Sequence, residues 1–251
     1  MVKGLERFKE KFKDYVDQYV IIGGTACDCS FRTKNMSFRM TKDIDLVLIV
    51  EDLTVDFVTS FREFVKETGY QHQNKQTGGV QFYRFSCPEN MSYPYMIELF
   101  SRNPETISLA ADSILTPIPV DDDISSLSAI VLNESYYALL KTGRIMSGGL
   151  SYLGIPDLIA FKAKAWLDLR TRRNAGEHVD SKSIRKHKND IYRLAQIVDR
   201  KCRFDLTSEV YKDMTEFIND MEEEDVDLKA LGIKASKNDT LAILKECFSI
   251  R

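Results

Sequence analysis

Residues 19–50 place two apolar runs on either side of a glycine pair and a closely spaced aspartate pair. The first run, Tyr19-Val20-Ile21-Ile22, ends at Gly23-Gly24, and the second, residues 46–50, follows Asp43-Ile44-Asp45. Short apolar runs bounded by turn residues are typical of strands, and a continuous apolar run is typical of a strand buried on both faces. The pattern therefore predicts two strands of a packed sheet, with a glycine turn after the first.

The two aspartates indicate the chemistry of this segment. On a strand, side chains at positions i and i+2 project from the same face, so Asp43 and Asp45 point together while Ile44 points into the core. Like charges held this close repel each other, and a nearby cation stabilises both. An isolated D-x-D also occurs on solvated strand ends. Here the apolar run that follows places the pair at the mouth of a sheet, which favours a cation site.

Phosphate-binding groups are predicted beside the aspartates. Gly23-Gly24 precedes a predicted helix start at Thr25, and backbone N–H groups at such a start bind phosphate. Arg39 and Thr41 add basic and hydroxyl groups just before the carboxylates. Mg²⁺ prefers oxygen ligands, often carboxylates together with substrate phosphates, and two such ions stabilise the attacking and leaving oxygens of phosphoryl transfer. The sequence therefore predicts a metal–nucleotide site, with Gly23, Gly24, Thr25, Arg39 and Thr41 at the nucleotide.

A family resemblance rests on the same residues. Gly23-Gly24-Thr25-Ala26, followed by Arg39-x-Thr41-x-Asp43-Ile44-Asp45, resembles the signature of the nucleotidyltransferase superfamily that includes DNA polymerase β, and in particular its AbiEii-like branch of abortive-infection and toxin–antitoxin proteins. The chain departs from the superfamily in having Gly-Gly where many members have Gly-Ser, and in the long segment 31–38. The resemblance implies an α+β fold with a small mixed β-sheet core and flanking helices. It also implies an NTP-dependent, pyrophosphate-releasing enzyme with two Mg²⁺ ions, or Mn²⁺ in their place.

A third carboxylate is a candidate for the same site. Glu98 lies in a predicted strand at residues 95–100, where it alternates with apolar residues. A carboxylate in such a strand is costly unless it is exposed, paired or bound to metal. A solvent-facing glutamate is one explanation. The family resemblance implies the other, in which Glu98 joins Asp43 and Asp45 as a metal ligand or acts as the general base that activates the attacking hydroxyl.

The domain boundary is predicted where the regular patterns stop. Residues 101–123 are interrupted by prolines and a triple aspartate, which is typical of a linker. We therefore expect a nucleotidyltransferase catalytic domain over residues 1–125 and a mainly helical domain over residues 126–251 that completes the cleft. The other elements predicted for the first domain are helices at residues 5–19 and 55–68 and neighbouring antiparallel strands at residues 70–73 and 80–85.

The first long helix predicted for the second domain starts at Pro156 and carries Lys162 on an otherwise apolar face. A lysine on such a face usually extends its amine to the edge. The alternative is an amine that contacts nucleotide phosphates, and the motif Asp157-Leu158-Ile159-x-x-Lys162-x-x-Ala165 resembles a motif of the AbiEii-like family that implies this catalytic role. Lys164 lies off the face and is predicted to pair with Asp168 at i+4.

A second resemblance to the AbiEii-like family follows in the next predicted helix, residues 183–200. The stretch Arg185-Lys186-His187-Lys188-Asn189-Asp190-Ile191 is similar to the family's later basic–aspartate motif. It implies that Asp190 organises Lys186 and other basic side chains, or acts near the second substrate. An ion pair on the helix surface is the alternative explanation.

Charge is distributed unevenly along the chain. The formal net charge of −3 gives no overall indication of nucleic-acid binding. Residues 162–203, however, contain thirteen Lys/Arg and five Asp/Glu, whereas residues 204–251 contain six Lys/Arg and twelve Asp/Glu. A strongly basic stretch favours contacts with phosphate, so RNA or tRNA is the predicted acceptor.

Composition sets the remaining bounds. The chain has 251 residues and is 43% hydrophobic, which suits one large or two medium globular domains. Its five cysteines are scattered without C-x-x-C spacing, so we expect reduced thiols rather than a zinc site. No apolar run is long enough to span a bilayer and the N-terminus does not resemble a signal peptide, so a cytoplasmic protein without membrane contact is expected.

The leading functional hypothesis is transfer of a nucleoside monophosphate from an NTP to an acceptor. RNA, tRNA, a protein hydroxyl or an aminoglycoside-type small molecule are the acceptors considered. The resemblance further implies a toxin of a toxin–antitoxin or phage-defence system, neutralised by a cognate antitoxin. The competing hypothesis is a non-catalytic module that binds nucleotide or RNA through a degenerate transferase fold.

Overall fold

The computed structural model describes residues 2–77, 80–102, 116–117, 127, 130–131, 133–201 and 203–250. The chain divides into two units, one comprising Met1–Pro119 with Leu140–Gly154 and the other comprising Val120–Leu139 with Ile155–Arg251. The boundary predicted after residue 125 lies outside the described residues. The prediction assigned Leu140–Gly154 to the helical domain, whereas this segment belongs to the first unit.

The first unit is built on one mixed sheet. Its eight described strands are β1 (Tyr19–Ile22), β2 (Asp43–Leu48), β3 (Gln71–Thr77), β4 (Val80–Ser86), β5 (Met96–Ser101), β6 (Thr116–Pro117), β7 (Arg144–Ser147) and β8 (Leu150–Leu153). They lie across the sheet in the order β6-β3-β4-β5-β2-β1-β8-β7. In the middle, β2 runs antiparallel to β1 and parallel to β5, and β5 runs antiparallel to β4. The predicted α+β fold with a mixed sheet is confirmed.

The hairpin formed by β7 and β8 accounts for the place of Leu140–Gly154 in the first unit. β8 pairs in parallel with β1 through Ile21 and Tyr152, and β7 pairs antiparallel with β8. β8 is a four-residue buried strand, while three of the four β7 residues are exposed. A short apolar run followed by a helix gave no indication that it joins a sheet begun more than a hundred residues earlier.

Three α-helices accompany this sheet, namely α1 (Leu5–Phe12), α2 (Gly23–Thr33) and α3 (Val55–Thr68). The helix predicted over residues 5–19 is shorter than expected, because α1 gives way to a 3-10 turn at Lys13–Tyr15 and Tyr19 begins β1. The end of α3 agrees with the prediction. Gly69 follows it with φ of 64°, a left-handed conformation that glycine adopts without strain.

An aromatic cluster holds α1 and α3 together. Phe8 and Phe12 from α1 meet Phe57, Phe61 and Phe64 from α3, and each of the five side chains is at most 1% exposed. Ring centroids of Phe12 lie 5.6, 5.7 and 5.3 Å from those of the three α3 rings. Full burial of one such side chain contributes roughly 1.5–3 kcal/mol, so the cluster fixes these helices firmly.

The other described helices are α4 (Glu134–Thr142), α5 (Ile155–Asn174), α6 (Ser181–Ala195), α7 (Ser208–Glu223) and α8 (Lys237–Cys247). Within the second unit α5 contacts both α6 and α7, and α8 contacts the same two helices. Trp166 of α5 and Phe217 of α7 pack edge to face, with centroids 5.4 Å apart. Across the described ranges, no helix combines the length and apolar character needed to cross a membrane.

Candidate functional site

The first turn of α2 lies directly against β2 and the residues before it. The helix begins at Gly23, two residues earlier than predicted, and Gly23 has φ of 64°. A Cβ atom on Gly23 would overlap Asp45 Oδ2 and lie 2.9 Å from Asp45 Cγ. A Cβ atom on Gly24 would lie 2.8 Å from Thr41 Oγ1. Both glycines are therefore required by the close approach of polar side chains.

A side-chain hydrogen bond of Thr25 connects this turn to β2, the strand that carries Asp43 and Asp45. Its hydroxyl donates a hydrogen bond to the backbone carbonyl of Asp43, at an Oγ1–O distance of 2.6 Å. The antiparallel register of β1 and β2 also places Ile22 opposite Asp45. The helix start and the aspartate strand, which the sequence predicted to face each other, thus lie side by side.

Glu98 and Asp45 form a pair of neighbouring carboxylates. They occupy opposite positions on the parallel strands β5 and β2, and Asp43 lies two residues before Asp45 on the same face. On its other side Glu98 faces Arg84 of β4, whose Nε and Nη2 both donate to Glu98 Oε1 at 2.9 and 2.6 Å. Neither explanation offered for Glu98 by the sequence included this arginine.

The environment of Glu98 favours its neutral form. Burial is the largest cause that raises the pKa of this carboxyl, and the charge of Asp45 adds to it, while Arg84 acts in the opposite direction. The result is a pKa of about 8. Because the folded protein disfavours the ionised form of Glu98, a divalent cation bound beside the carboxylate would stabilise that form.

The donor set fits a hard cation in part. Asp45 and Glu98 offer only oxygen, the donor type that Mg²⁺ prefers. Among residues 2–77, 80–102 and the other described parts of the chain, however, no three His, Cys, Asp or Glu side chains are grouped closely enough to hold a metal ion. The structure therefore brings together two of the three predicted metal ligands, and Asp43 remains a predicted third.

Replacing Glu98 by Gln tests this charge arrangement in the absence of metal. The pKa of about 8 lies above the value of roughly 4.3 in an unfolded chain, so between these pH values the folded protein binds more protons than the unfolded one. Stability contributed by Glu98 should therefore fall as pH rises from about 5 to about 8. Glu98→Gln should remove this slope in urea unfolding with EDTA. The exposed control Glu10→Gln should keep it, and equal slopes in all three proteins would show that Glu98 ionises normally.

The two other predicted nucleotide residues of the first unit line a cavity beside α2. Arg39 and Thr41 lie on its wall together with Asp28, Arg32 and Phe38. Arg32 Nε donates to Asp28 Oδ2 at 2.8 Å. The Arg39 guanidinium lies 5.3 Å from the centroid of the Phe38 ring. The segment between the glycines and the aspartates thus brings Arg39 and Thr41 to one cavity, and Asp28 and Arg32 are charged wall residues that the sequence gave no reason to select.

Lys162 forms a buried ion pair within the second unit. Its Nζ lies 2.9 Å from Asp190 Oδ2, and the two residues are 5% and 0% exposed. Arg193 Nη1 donates to the other carboxylate oxygen at 3.4 Å. The amine therefore does not extend to an exposed edge, and Asp190 is not part of a surface ion pair. Lys186 is exposed on α6.

The predicted pairing of Lys164 with Asp168 is wrong. Lys164 Nζ lies 2.9 Å from Asp213 Oδ2, and Tyr136 donates its hydroxyl to the same oxygen at 2.9 Å. Asp213 comes from α7, which packs beside α5 and offers a more buried partner than the next turn of the same helix. Spacing along one helix could not reveal this contact.

Much of the basic stretch over residues 162–203 is neutralised inside the second unit. At least seven of its thirteen basic residues form ion pairs, and four of those pairs reach acids within residues 204–251. The four are Lys164–Asp213, Arg170–Asp220, Lys188–Glu224 and Arg203–Glu246. Pairing with residues 204–251 thus accounts for four of the eight excess positive charges of the basic stretch, so about half of the charge support for an RNA acceptor remains.

Comparison with known proteins gives two similar solved structures. One is an antigenic nucleotidyltransferase-like protein from Paracoccidioides brasiliensis, 15% identical with a TM-score of 0.40, where the match covers 90% of this chain and 95% of the fungal one. The other is the Megavirus polyadenylate synthase, 13% identical with a TM-score of 0.39, where the match covers 87% of this chain but only 37% of the viral one. No family model and no curated protein matches the chain. Similarities of this extent assign neither a family nor an activity to it.

Proposed function

We propose that the protein is a Mg²⁺-dependent nucleotidyltransferase that transfers a nucleoside monophosphate from an NTP to an acceptor, with release of pyrophosphate. The observation that carries the proposal is the contact between the helix start at Gly23 and the Asp45 carboxylate, with Glu98 beside it. A helix start binds phosphate, and neighbouring carboxylates hold the cations that accompany it. The two halves of such a site adjoin within one unit.

Residues of the first unit are proposed to bind the triphosphate and its metal ion. Gly23, Gly24 and Thr25 present backbone N–H groups from the first turn of α2. The Thr25 hydroxyl already donates to the Asp43 carbonyl, so it fixes the turn, and only its backbone N–H remains to bind phosphate. Bound Mg²⁺ would neutralise charge that develops on the phosphoryl oxygens. Asp43, Asp45 and Glu98 are its proposed ligands, and positioning in line supplies most of the catalysis.

Glu98 could also accept the proton of the attacking hydroxyl. A carboxylate with a pKa of about 8 is a stronger base than an ordinary glutamate once it is ionised. Metal binding and proton acceptance are alternatives for this residue, because a carboxylate engaged by a cation is a much weaker base. The resemblance of the sequence to the nucleotidyltransferase superfamily allows either role for Glu98.

Lys162 is proposed to neutralise phosphate charge with Asp190 holding its amine. A lysine ammonium has three donors, and one of them is directed to Asp190 at 2.9 Å. Lys186, exposed on the same helix as Asp190, is the proposed contact for the second substrate.

The sequence suggests several acceptors and one biological role. RNA or tRNA, a protein hydroxyl and an aminoglycoside-type molecule all supply a suitable nucleophile, and the internal pairing of the basic stretch weakens the preference for RNA. Membership of the AbiEii-like branch, action as a toxin and neutralisation by an antitoxin are supported by the sequence resemblance alone. The non-catalytic binding module is favoured by one observation, the absence of a three-ligand metal group among the described residues.

Nucleotide transfer assays separate these possibilities. The full-length protein is incubated with each labelled NTP, Mg²⁺ and either total RNA or cell lysate, and label on macromolecules and small molecules is measured. We expect transfer by the wild type and a decrease of at least about tenfold in both Asp43→Asn and Asp45→Asn, because each removes a negative ligand charge. Asp56→Asn, an exposed position on α3, is the matched control and should behave as the wild type.

Two results would contradict the proposal. Nucleotide binding without transfer, unchanged in both aspartate variants, would establish the non-catalytic module. Transfer that persists in Asp45→Asn would show that the catalytic carboxylates lie elsewhere in the chain.

A further inference from the structure

We propose that Arg84 is a positioning residue for the carboxylate pair, holding Glu98 so that one of its oxygens stays directed towards Asp45 and the cation between them. The inference rests on the proposed function, in which Glu98 and Asp45 are metal ligands. It gives a role to a residue that no sequence motif singled out. Arg84 acts through Glu98 and does not itself contact substrate.

The strand order places Arg84, Glu98 and Asp45 in one row. Arg84 on β4 is opposite Glu98 on β5, and Glu98 is opposite Asp45 on β2. Side chains at opposite positions on neighbouring strands share a face and lie about 4.5–5.5 Å apart at Cβ. Glu98 is therefore flanked by a cation on one side and a carboxylate on the other.

The hydrogen bonds fix the orientation of the Glu98 side chain. Nε and Nη2 of Arg84 converge on one oxygen, Oε1, at 2.9 and 2.6 Å. Two donors of a planar guanidinium restrict rotation more than one donor does. The side chains of Arg84 and Glu98 are 21% and 13% exposed, so water competes little for these bonds. Glu98 also hydrogen-bonds the Asp45 side chain, so it is oriented from both neighbouring strands.

Charge makes this restraint necessary. Once Glu98 is ionised, it and Asp45 repel each other strongly in this shielded site, and Arg84 offsets part of the repulsion. Arg84 supplies positive charge from the β4 side of Glu98, opposite the Asp45 side. A lysine would supply the same charge from a single ammonium, without the two hydrogen bonds that a planar guanidinium donates to Glu98 Oε1.

The test compares two variants. Arg84→Lys keeps the positive charge but loses the paired hydrogen bonds to Glu98, and Arg84→Met loses both the charge and the hydrogen bonds. The dissociation constant of Mn²⁺ is measured on the full-length protein by the electron paramagnetic resonance signal of free Mn²⁺, and thermal unfolding confirms that each variant is folded. We expect Mn²⁺ affinity to fall by about 10- to 100-fold in both variants, the usual effect of losing a partner that orients a metal ligand. Arg7→Met, a change at a 58% exposed side chain on α1, should leave the affinity unchanged.

Each other outcome overturns the inference. Wild-type affinity in Arg84→Lys would show that charge alone matters, and tighter binding in Arg84→Met would make Arg84 a competitor of the metal. Lower thermal stability with unchanged Mn²⁺ affinity would leave only a structural role, and no Mn²⁺ binding by the wild type would remove the site itself. If Arg84→Met fails to fold, Arg84→Lys decides the question.

The Mn²⁺ measurement also separates this inference from the proposed function. Affinity that depends on Arg84 in a protein that transfers no nucleotide would contradict only the proposed function. Asp45-dependent transfer with unaltered Mn²⁺ affinity and transfer rate in Arg84→Lys would contradict only the role of Arg84.

Discussion

Replacing Asp190 by Asn is expected to lower the free energy of unfolding by roughly 3–5 kcal/mol. The substitution leaves the Lys162 ammonium buried without the negative charge that lies 2.9 Å from it, and the Arg193 guanidinium loses the same partner. A buried ion pair contributes little net stability when formed, because both ions lose their hydration. Breaking one side is costly because the remaining charge keeps the desolvation penalty. Urea unfolding at pH 7 measures the difference.

A compensating variant and a surface pair serve as controls for this prediction. Lys162→Met combined with Asp190→Asn removes the buried charges together and should recover most of the loss. Glu246→Gln breaks the ion pair between Glu246 and Arg203, whose side chains are 55% and 45% exposed, respectively. This substitution should lower the free energy of unfolding by less than about 1 kcal/mol. Equal losses in Asp190→Asn and Glu246→Gln would mean that the Lys162–Asp190 pair is solvated in solution.

Gly23→Ala is expected to lower nucleotide transfer by roughly 100- to 1,000-fold, the range seen when preorganised phosphate or oxyanion donors are lost. The new Cβ would overlap the carboxylate of Asp45, so the aspartate has to rotate away from the turn. The substitution therefore disturbs both the phosphate turn and a proposed metal ligand. Transfer rate and Mn²⁺ affinity should fall together, whereas the left-handed backbone alone costs only about 1–2 kcal/mol of stability.

Gly148→Ala separates the steric effect from the backbone effect. Gly148 has φ of 61°, close to the 64° of Gly23, and a Cβ there would meet nothing within 4 Å. The two alanine variants should lose similar backbone stability, but only Gly23→Ala should lose transfer. A full rate in Gly23→Ala would show that Asp45 does not need its present position for the reaction.

The sequence predicted those parts of the candidate site that depend on short spacing. The i, i+2 relation of Asp43 and Asp45 on a strand and the glycines at a helix start are local features, and they lie side by side in the structure. The contacts of Glu98 with Arg84 depend on the register of two strands fourteen residues apart in sequence. Two residues in separate strands give no periodic signal, which is why Arg84 was not predicted.

The same distinction applies to the second unit. Helical periodicity correctly placed Lys162 on an apolar face, but its partner lies 28 residues later on another helix. Periodicity also extended the first helix to residue 19, because the apolar spacing continues through Tyr15 and Val16 into Tyr19. There, pairing of Tyr19 with Leu48 of the neighbouring strand prevails over the helical pattern.

The β7–β8 hairpin has a consequence for how the chain acquires its structure during synthesis. β1 carries Ile22 next to the candidate site, and β8 covers the side of β1 that does not pair with β2. Until residue 153 has left the ribosome, that side of a strand whose four residues are all buried is an open edge. A fragment ending at residue 125 would keep the same open edge permanently and be prone to pair with other chains. The first unit is therefore complete only after part of the second unit has already been translated.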